Sequence, residues 1–165
     1  MVDILTVENN LMITIRPYFD SDWQAVCRVH DRAQPGEFME SENRYALIPL
    51  AENKNICKIF PTCHRFVACD TTDVKSNSHS QVVGVIAAYK SYITLLYVDP
   101  DYQHQKIGKR LLKVILNIIG SPAWTVVIAD NYRARQFYQR QGFQEVSIFP
   151  GYIVGKPCDF VRLKR

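Results

Sequence analysis

The sequence predicts an α/β (α+β) chain: a mixed, mostly antiparallel central sheet of about six to seven strands flanked by helices. Three observations carry that expectation. Two β-branched and aromatic runs, Gln81–Tyr89 and Tyr92–Val98, are separated only by Lys90-Ser91, which suits an antiparallel pair. Apolar residues recur at helical spacing through Ile107, Leu111, Leu112, Ile115, Leu116 and Ile119, with Lys106, Lys109, Arg110, Lys113 and Asn117 on the opposite face. The order of periods along the chain reads β-α-(α)-β-β-β-α-β-α-β-β.

Met12–Pro17 alternates as a short strand. Asp20 or Ser21 is placed to cap a helix running to about Ala33, with Trp23, Val26, Cys27 and His30 on one face. Pro35-Gly36 marks a turn, Glu37, Glu40 and Glu42 make the next stretch acidic, and Tyr45–Leu50 is read as a helical turn. His64–Cys69 reads as a strand, and the polar segment Asp70–Ser80 as a hairpin connection. Gly120 and Pro122 stop the long helix, and Trp124–Ile128 is a short buried strand. Asp130 or Asn131 caps a further helix that ends at Gly142, where a positive φ is wanted. Phe143–Phe149 and Asp159–Leu163 close the sheet.

With 165 residues, 47% hydrophobic and 22% charged, the chain is expected to form one domain over 1–165, residues 1–11 being a flexible N-terminal extension. A net charge of +4 does not call for nucleic acid. No apolar run approaches the ~20 residues that span a bilayer. Five cysteines, an odd number, fit a reducing compartment, and a cytoplasmic location follows. Cys57-x5-Cys63-His64-x4-Cys69 fits no common zinc spacing, so these are read as buried thiols and no metal is expected.

The segment from Val98 to Arg110 joins a buried strand to the start of the long helix. A helix N-terminus leaves N–H groups unpaired and favours negative charge, which makes such a unit suited to phosphate. From Asp99 to Lys113 there are four Lys/Arg and two Asp, with His104 in addition. On physics alone, a connecting loop with solvated cations explains these residues equally well.

Val98-x-Pro100-x-x-Gln103-x-x-Lys106-x-Gly108, followed by Leu111-Leu112, resembles the acyl-CoA-binding signature of the GCN5-related N-acetyltransferases. Downstream, Asn131-x-x-Ala134-x-x-Phe137-Tyr138-x-x-x-Gly142-Phe143 looks like that family's second conserved block. The resemblance covers roughly 12–165 in element order and is sharp over 93–149. Lys106 departs from it, standing where the family usually has its first glycine. It either tolerates the turn and offers its ammonium to a phosphate, or crowds the pyrophosphate.

The resemblance implies an acyl-CoA N-acyltransferase-like fold and transfer of an acetyl group from acetyl-CoA, as co-substrate, to a primary amine by direct attack. It implies that the fourth strand splays from the fifth. Backbone groups of Leu96, Tyr97 and Val98 would then hold the pantetheine and polarise the thioester. N–H groups of Gln103, His104, Gln105, Lys106, Ile107, Gly108 and Lys109 would hold the pyrophosphate. Asn131 would face the cofactor. Tyr138 would protonate the departing thiolate as general acid, for which a phenol is suited. Candidates for the base are Glu37, Glu40, Glu42 and Asp130, with Tyr97 as a relay. The implied partner is a small-molecule or peptide amine, with no membrane or nucleic acid, and a homodimer is compatible with it. Two rivals stand beside this reading: a non-catalytic acyl-CoA sensor, and an acetyltransferase acting on RNA or aminoacyl-tRNA.

Overall fold

The computed structural model describes residues 12–38, 47–72 and 80–165. Along the chain come β1 (Ile13–Pro17), α1 (Trp23–Ala33), α2 (Lys54–Ile59), β2 (His64–Asp70), β3 (Gln81–Tyr89), β4 (Tyr92–Val98), α3 (Ile107–Ile119), β5 (Trp124–Ile128), α4 (Tyr132–Arg140), β6 (Gln144–Ile153) and β7 (Lys156–Lys164). The strands form one seven-stranded sheet in the order β1-β2-β3-β4-β5-β7-β6. Every pairing is antiparallel except β4 with β5.

Both faces of the sheet are covered, which explains why β3 is apolar and buried from Val82 to Ala88. On one face, Ile107, Leu111, Leu112 and Ile115 of α3 and Tyr138 of α4 pack on Val83, Ile86, Ala88, Ile93, Val161 and Leu163. Burying each of the four α3 side chains contributes about 1.5–3 kcal/mol. On the other face, Val26 and Val29 of α1 pack with Leu50, Phe60, Val67, Val85 and Leu95. Cys63 and Cys69 both lie in this second cluster. A smaller cluster of Phe38, Ile128 and Cys158 fills the far end of the same side.

Several local expectations are corrected. Neither Asp20 nor Ser21 caps α1; both sit in a 3-10 turn, Asp20–Asp22, that precedes it. The residue that organises this start is Asp22, buried and gripped by Arg16 at 2.7 and 2.8 Å while accepting the Phe19 N–H. The helical turn expected at Tyr45–Leu50 falls later, at Leu50–Glu52, and α2 follows it, capped by the Asn53 side chain on the Ile56 N–H; residues 45 and 46 are outside the described residues. The closing strands are longer than the sequence pattern suggested, because β6 and β7 pair with each other out to Ile153 and Lys156. Residues 1–11, the expected extension, lie outside the described residues.

The feature that positions the site is the junction of β4 and β5. These parallel strands pair at one position, Tyr92 with Trp124, whose rings stack 4.2 Å apart. Beyond it, β4 stays with β3 and β5 stays with β7. A bulge on β4 explains the parting: Ala87 faces Leu95 and Ala88 faces Ile93, leaving Thr94 as the extra residue. An extra residue bends its strand, and Thr94 Oγ1 holds the bend by donating to the Ala87 carbonyl at 3.1 Å.

Candidate active site

Where β4 and β5 part, a cavity of about 310 Å³ opens through the sheet. Its walls come from α1, the turn Gln34–Phe38, β4, β5, α4 and the β6–β7 hairpin. Thr125 closes the apex. It is buried, and its Oγ1 donates to the Ile93 carbonyl across the gap at 3.1 Å.

Two sets of groups face one another across this opening. On the α1 side, Tyr97 donates its hydroxyl to Glu37 Oε1 at 2.6 Å. Burial pushes the Glu37 carboxyl above its ordinary range, with the Tyr97 hydrogen bond acting in the opposite direction. Burial, followed by the neighbouring Glu37 charge, holds the Tyr97 phenol well above its ordinary value. His30, buried against the Tyr97 ring at 4.6 Å, directs Nδ1 to Asp31 Oδ1 at 2.8 Å. The same carboxylate oxygen accepts the Leu50 N–H, which fixes Asp31 and through it the imidazole. Burial lowers the His30 pKa, outweighing Asp31, so the ring is neutral near pH 7. On the α4 side, Tyr138 is buried, and burial pushes its phenol up, with the Thr125 side chain acting in the opposite direction.

The turn leading out of β4 is pinned from several directions. Asp99 is fully buried and accepts from Asp101 N and from Arg32 Nη1, while Arg32 Nη2 reaches Asp101. Tyr102 donates to Asp70. Gln103 Nε2 donates to the Val98 carbonyl at 3.1 Å, and its Oε1 accepts from Arg133. His104 and Lys106 both take left-handed conformations, each with φ 62°. The first bond of α3 runs from Arg110 N to Lys106 O. The N–H groups of Ile107, Gly108 and Lys109 therefore have no partner within the helix, and no side chain caps it. This end packs beside α4 and β4: a Cβ at Gly108 would make ordinary contact, 3.5 Å from the Phe137 ring and 3.8 Å from Val98.

This geometry sorts the residues singled out from sequence. Leu96, Tyr97, Asn131 and Tyr138 line the cavity, as does Glu37. Asn131 also caps α4, its Oδ1 accepting the Ala134 N–H. Val98, Gln103, His104, Gln105, Lys106, Ile107, Gly108 and Lys109 form the end of β4, the turn after it and the first turn of α3, and do not line the cavity. Asp130 is exposed and does not line the cavity, so it is not brought to the acceptor side. Glu40 and Glu42 lie outside the described residues. Arg110, counted with the phosphate-facing cations, instead donates to the Ile13 carbonyl and ties α3 to β1. Lys109 and Lys113 share a separate groove with Arg165. His30 and Thr125 were not singled out as functional, although both line the cavity.

The model of the acetyltransferase (GNAT) domain matches residues 61–145, a span holding the parted strands, the uncapped helix start and Tyr138. The chain belongs to the GNAT acetyltransferase family. Among curated relatives, this GNAT chain is 31% identical over 68 residues to the uncharacterized N-acetyltransferase YafP of Escherichia coli, an alignment covering 41% of this chain and 43% of that protein. The chain spans less than half the length of the curated relatives it matches. Among solved structures, a GCN5-related N-acetyltransferase from Rhodopseudomonas palustris superposes with a TM-score of 0.74 at 16% identity, covering 92% of this chain and 94% of that one. Arabidopsis thaliana NAA60 in complex with acetyl-CoA superposes at 0.70 and 19% identity, covering 93% and 98%. These structural likenesses show that the GNAT fold extends well beyond the matched segment, over most of the chain.

Proposed function

We propose that this GNAT chain transfers an acetyl group from acetyl-CoA to a primary amine, in the cavity between β4 and β5. The observation that carries the proposal is the arrangement around the parting. A hydrogen-bonded Glu37–Tyr97 pair faces a buried Tyr138 across one opening, and the strand that lines it, β4, leads through one turn to the uncapped α3 N-terminus.

The residues fit acetyl-CoA. Three unpartnered helix N–H groups at Ile107, Gly108 and Lys109, with the preceding turn from Gln103, suit a pyrophosphate. The β4 edge from Leu96 to Val98, released from β5, suits the amide-bearing pantetheine arm. Acetyl-CoA supplies the activated thioester.

The chain's own groups supply the proton traffic. An amine arrives as its ammonium, since such groups titrate near ~10. Glu37 attracts that cation, and takes its first proton through the Tyr97 hydroxyl. The amine nitrogen then bonds the thioester carbonyl carbon as the C–S bond breaks. Tyr138 gives its proton to the departing thiolate. Burial keeps that phenol protonated, and the same low-dielectric surroundings make the thiolate a stronger base. The second proton shed by nitrogen restores Tyr138, so one proton leaves per turnover. Five unpaired cysteines, three of them buried, support a reducing, cytoplasmic setting.

The test is acetyl-CoA titration together with thiol release against a panel of primary amines. Binding with amine-dependent thiol release, and a product heavier by one acetyl group, is the expected result. Binding with no release on any amine would replace this reading with that of an acyl-CoA sensor.

A further inference from the structure

The acceptor side of the cavity has a chemistry of its own, and it narrows the substrate. Among the described lining residues, Glu37 is the one carboxylate, and none of them is a lysine or arginine. Tyr97 and His30 are further ionisable groups on that side; the Tyr97 phenol is held neutral by burial. The His30 Nδ1 is committed to Asp31, and burial keeps the ring neutral. Phe38, Ile48, Ile56, Ile153 and Phe160 supply apolar wall. Phe38 is almost fully buried, and Phe160 is held by the Phe149 ring stacked on it at 5.8 Å. The room is limited, because the volume of about 310 Å³ must also take the acetyl end of the co-substrate. Sites for small molecules run from roughly 300 to 1,000 Å³.

These features set what the amine can carry. One buried carboxylate matches one ammonium. A carboxylate beside the nitrogen, as in an α-amino acid, would be desolvated with no cation among the described lining residues to meet it, and would face Glu37 as a like charge. A second ammonium close to the first would be buried without a partner. An apolar or aromatic body, by contrast, is what the wall accepts.

We propose that the acceptor is a small primary monoamine on an apolar or aromatic body, with no anionic group next to the nitrogen. This rests on the acetyl-transfer reading. Chemically, the C–N bond forms on such an amine as the C–S bond breaks, with thiol, amide and one proton as products.

The experiment measures thiol release from acetyl-CoA by the whole chain with phenethylamine, phenylalanine, phenylalaninamide, spermidine and a lysine-bearing peptide. Phenethylamine and phenylalanine share one body and differ by the carboxylate; phenylalaninamide keeps similar bulk without the charge. The expected kcat/KM for phenethylamine exceeds that for phenylalanine by about 100-fold or more, the scale of an unpaired buried charge. Phenylalaninamide should recover most of the difference, and spermidine should be poor. Glu37→Gln, which can keep the hydrogen bond from Tyr97, should raise KM for phenethylamine and narrow the gap to phenylalanine. Phenylalanine within about 3-fold of phenethylamine, or an unchanged ratio in Glu37→Gln, overturns the proposal. Turnover of spermidine or the peptide alone overturns this acceptor class while leaving acetyl transfer standing. Thiol release with none of the amines overturns both.

Discussion

Replacing Lys106 by glycine tests how the turn before α3 works. Lys106 occupies the helix N-cap position with φ 62° and ψ 11°. A left-handed conformation costs a residue with a side chain roughly 1–2 kcal/mol. Glycine relieves that strain but gives back about 0.4–1 kcal/mol through the greater freedom of the unfolded chain. The net gain worked from these terms is about 0.5–1 kcal/mol, or roughly 1–4 °C in Tm at this chain length. The Lys106 side chain is exposed, so its ammonium acts on a bound phosphate as a screened charge. The backbone N–H groups carry most of the grip, and losing the ammonium should weaken acetyl-CoA binding by less than about 5-fold. Thermal unfolding followed by circular dichroism, with calorimetric titration of acetyl-CoA, reads both quantities. A Lys106→Gly variant that melts lower, or loses more than about 10-fold in affinity, would refute the reasoning: the side chain would then be a principal phosphate ligand.

Three further outcomes follow from the same geometry. Thr125→Val keeps the side-chain shape but removes the hydroxyl that bonds the Ile93 carbonyl at the point where β4 and β5 part, so stability should fall by about 1–3 kcal/mol in urea unfolding, with Thr125→Ser restoring it. Glu37→Gln should raise Tm at pH 8: burial raises the folded-state pKa of Glu37, so its ionised form destabilises the fold, and this advantage of the variant should shrink as pH falls through that raised pKa and the native carboxyl takes up its proton. Gly84→Ala should destabilise the fold by about 1–3 kcal/mol in the same urea assay, because a Cβ at this β3 position would meet Leu111 at 3.1 Å and the Tyr97 carbonyl oxygen at 3.3 Å.

The order of elements along the chain and the two helices of the second half were legible because their signals are local. Ile107 to Ile119 carries a helical period, and Asn131 and Gly142 bracket α4 with a cap and a stop. The site was legible only where a linear motif encodes it. The Val98–Gly108 segment pointed to the phosphate turn, but nothing in it shows that Gln103 would bond back to the Val98 carbonyl. Glu37 was one of three glutamates in the same stretch, and its distinction comes from the turn Gln34–Phe38 folding it onto Tyr97, a contact across 60 residues of chain. His30 looked like one more residue on the buried face of α1; its role depends on Asp31, which is held in turn by the distant Leu50 N–H. The parting of the strands depends on a bulge at Thr94, and a single extra residue in a β-branched run leaves no pattern to read. One missed signal was local: Asn53, three residues before Ile56, is a helix cap, and it marks the start of α2.

The central claim is that the cavity between β4 and β5 is an acetyl-transfer site with Tyr138 as its proton donor. Amine-dependent thiol release by Tyr138→Phe, compared with the native chain at saturating acetyl-CoA, tests it most directly. The account predicts a loss of about 10²–10⁴-fold in kcat, with acetyl-CoA affinity and Tm close to native. Native turnover in the variant, or a loss traced wholly to failed cofactor binding, would contradict it.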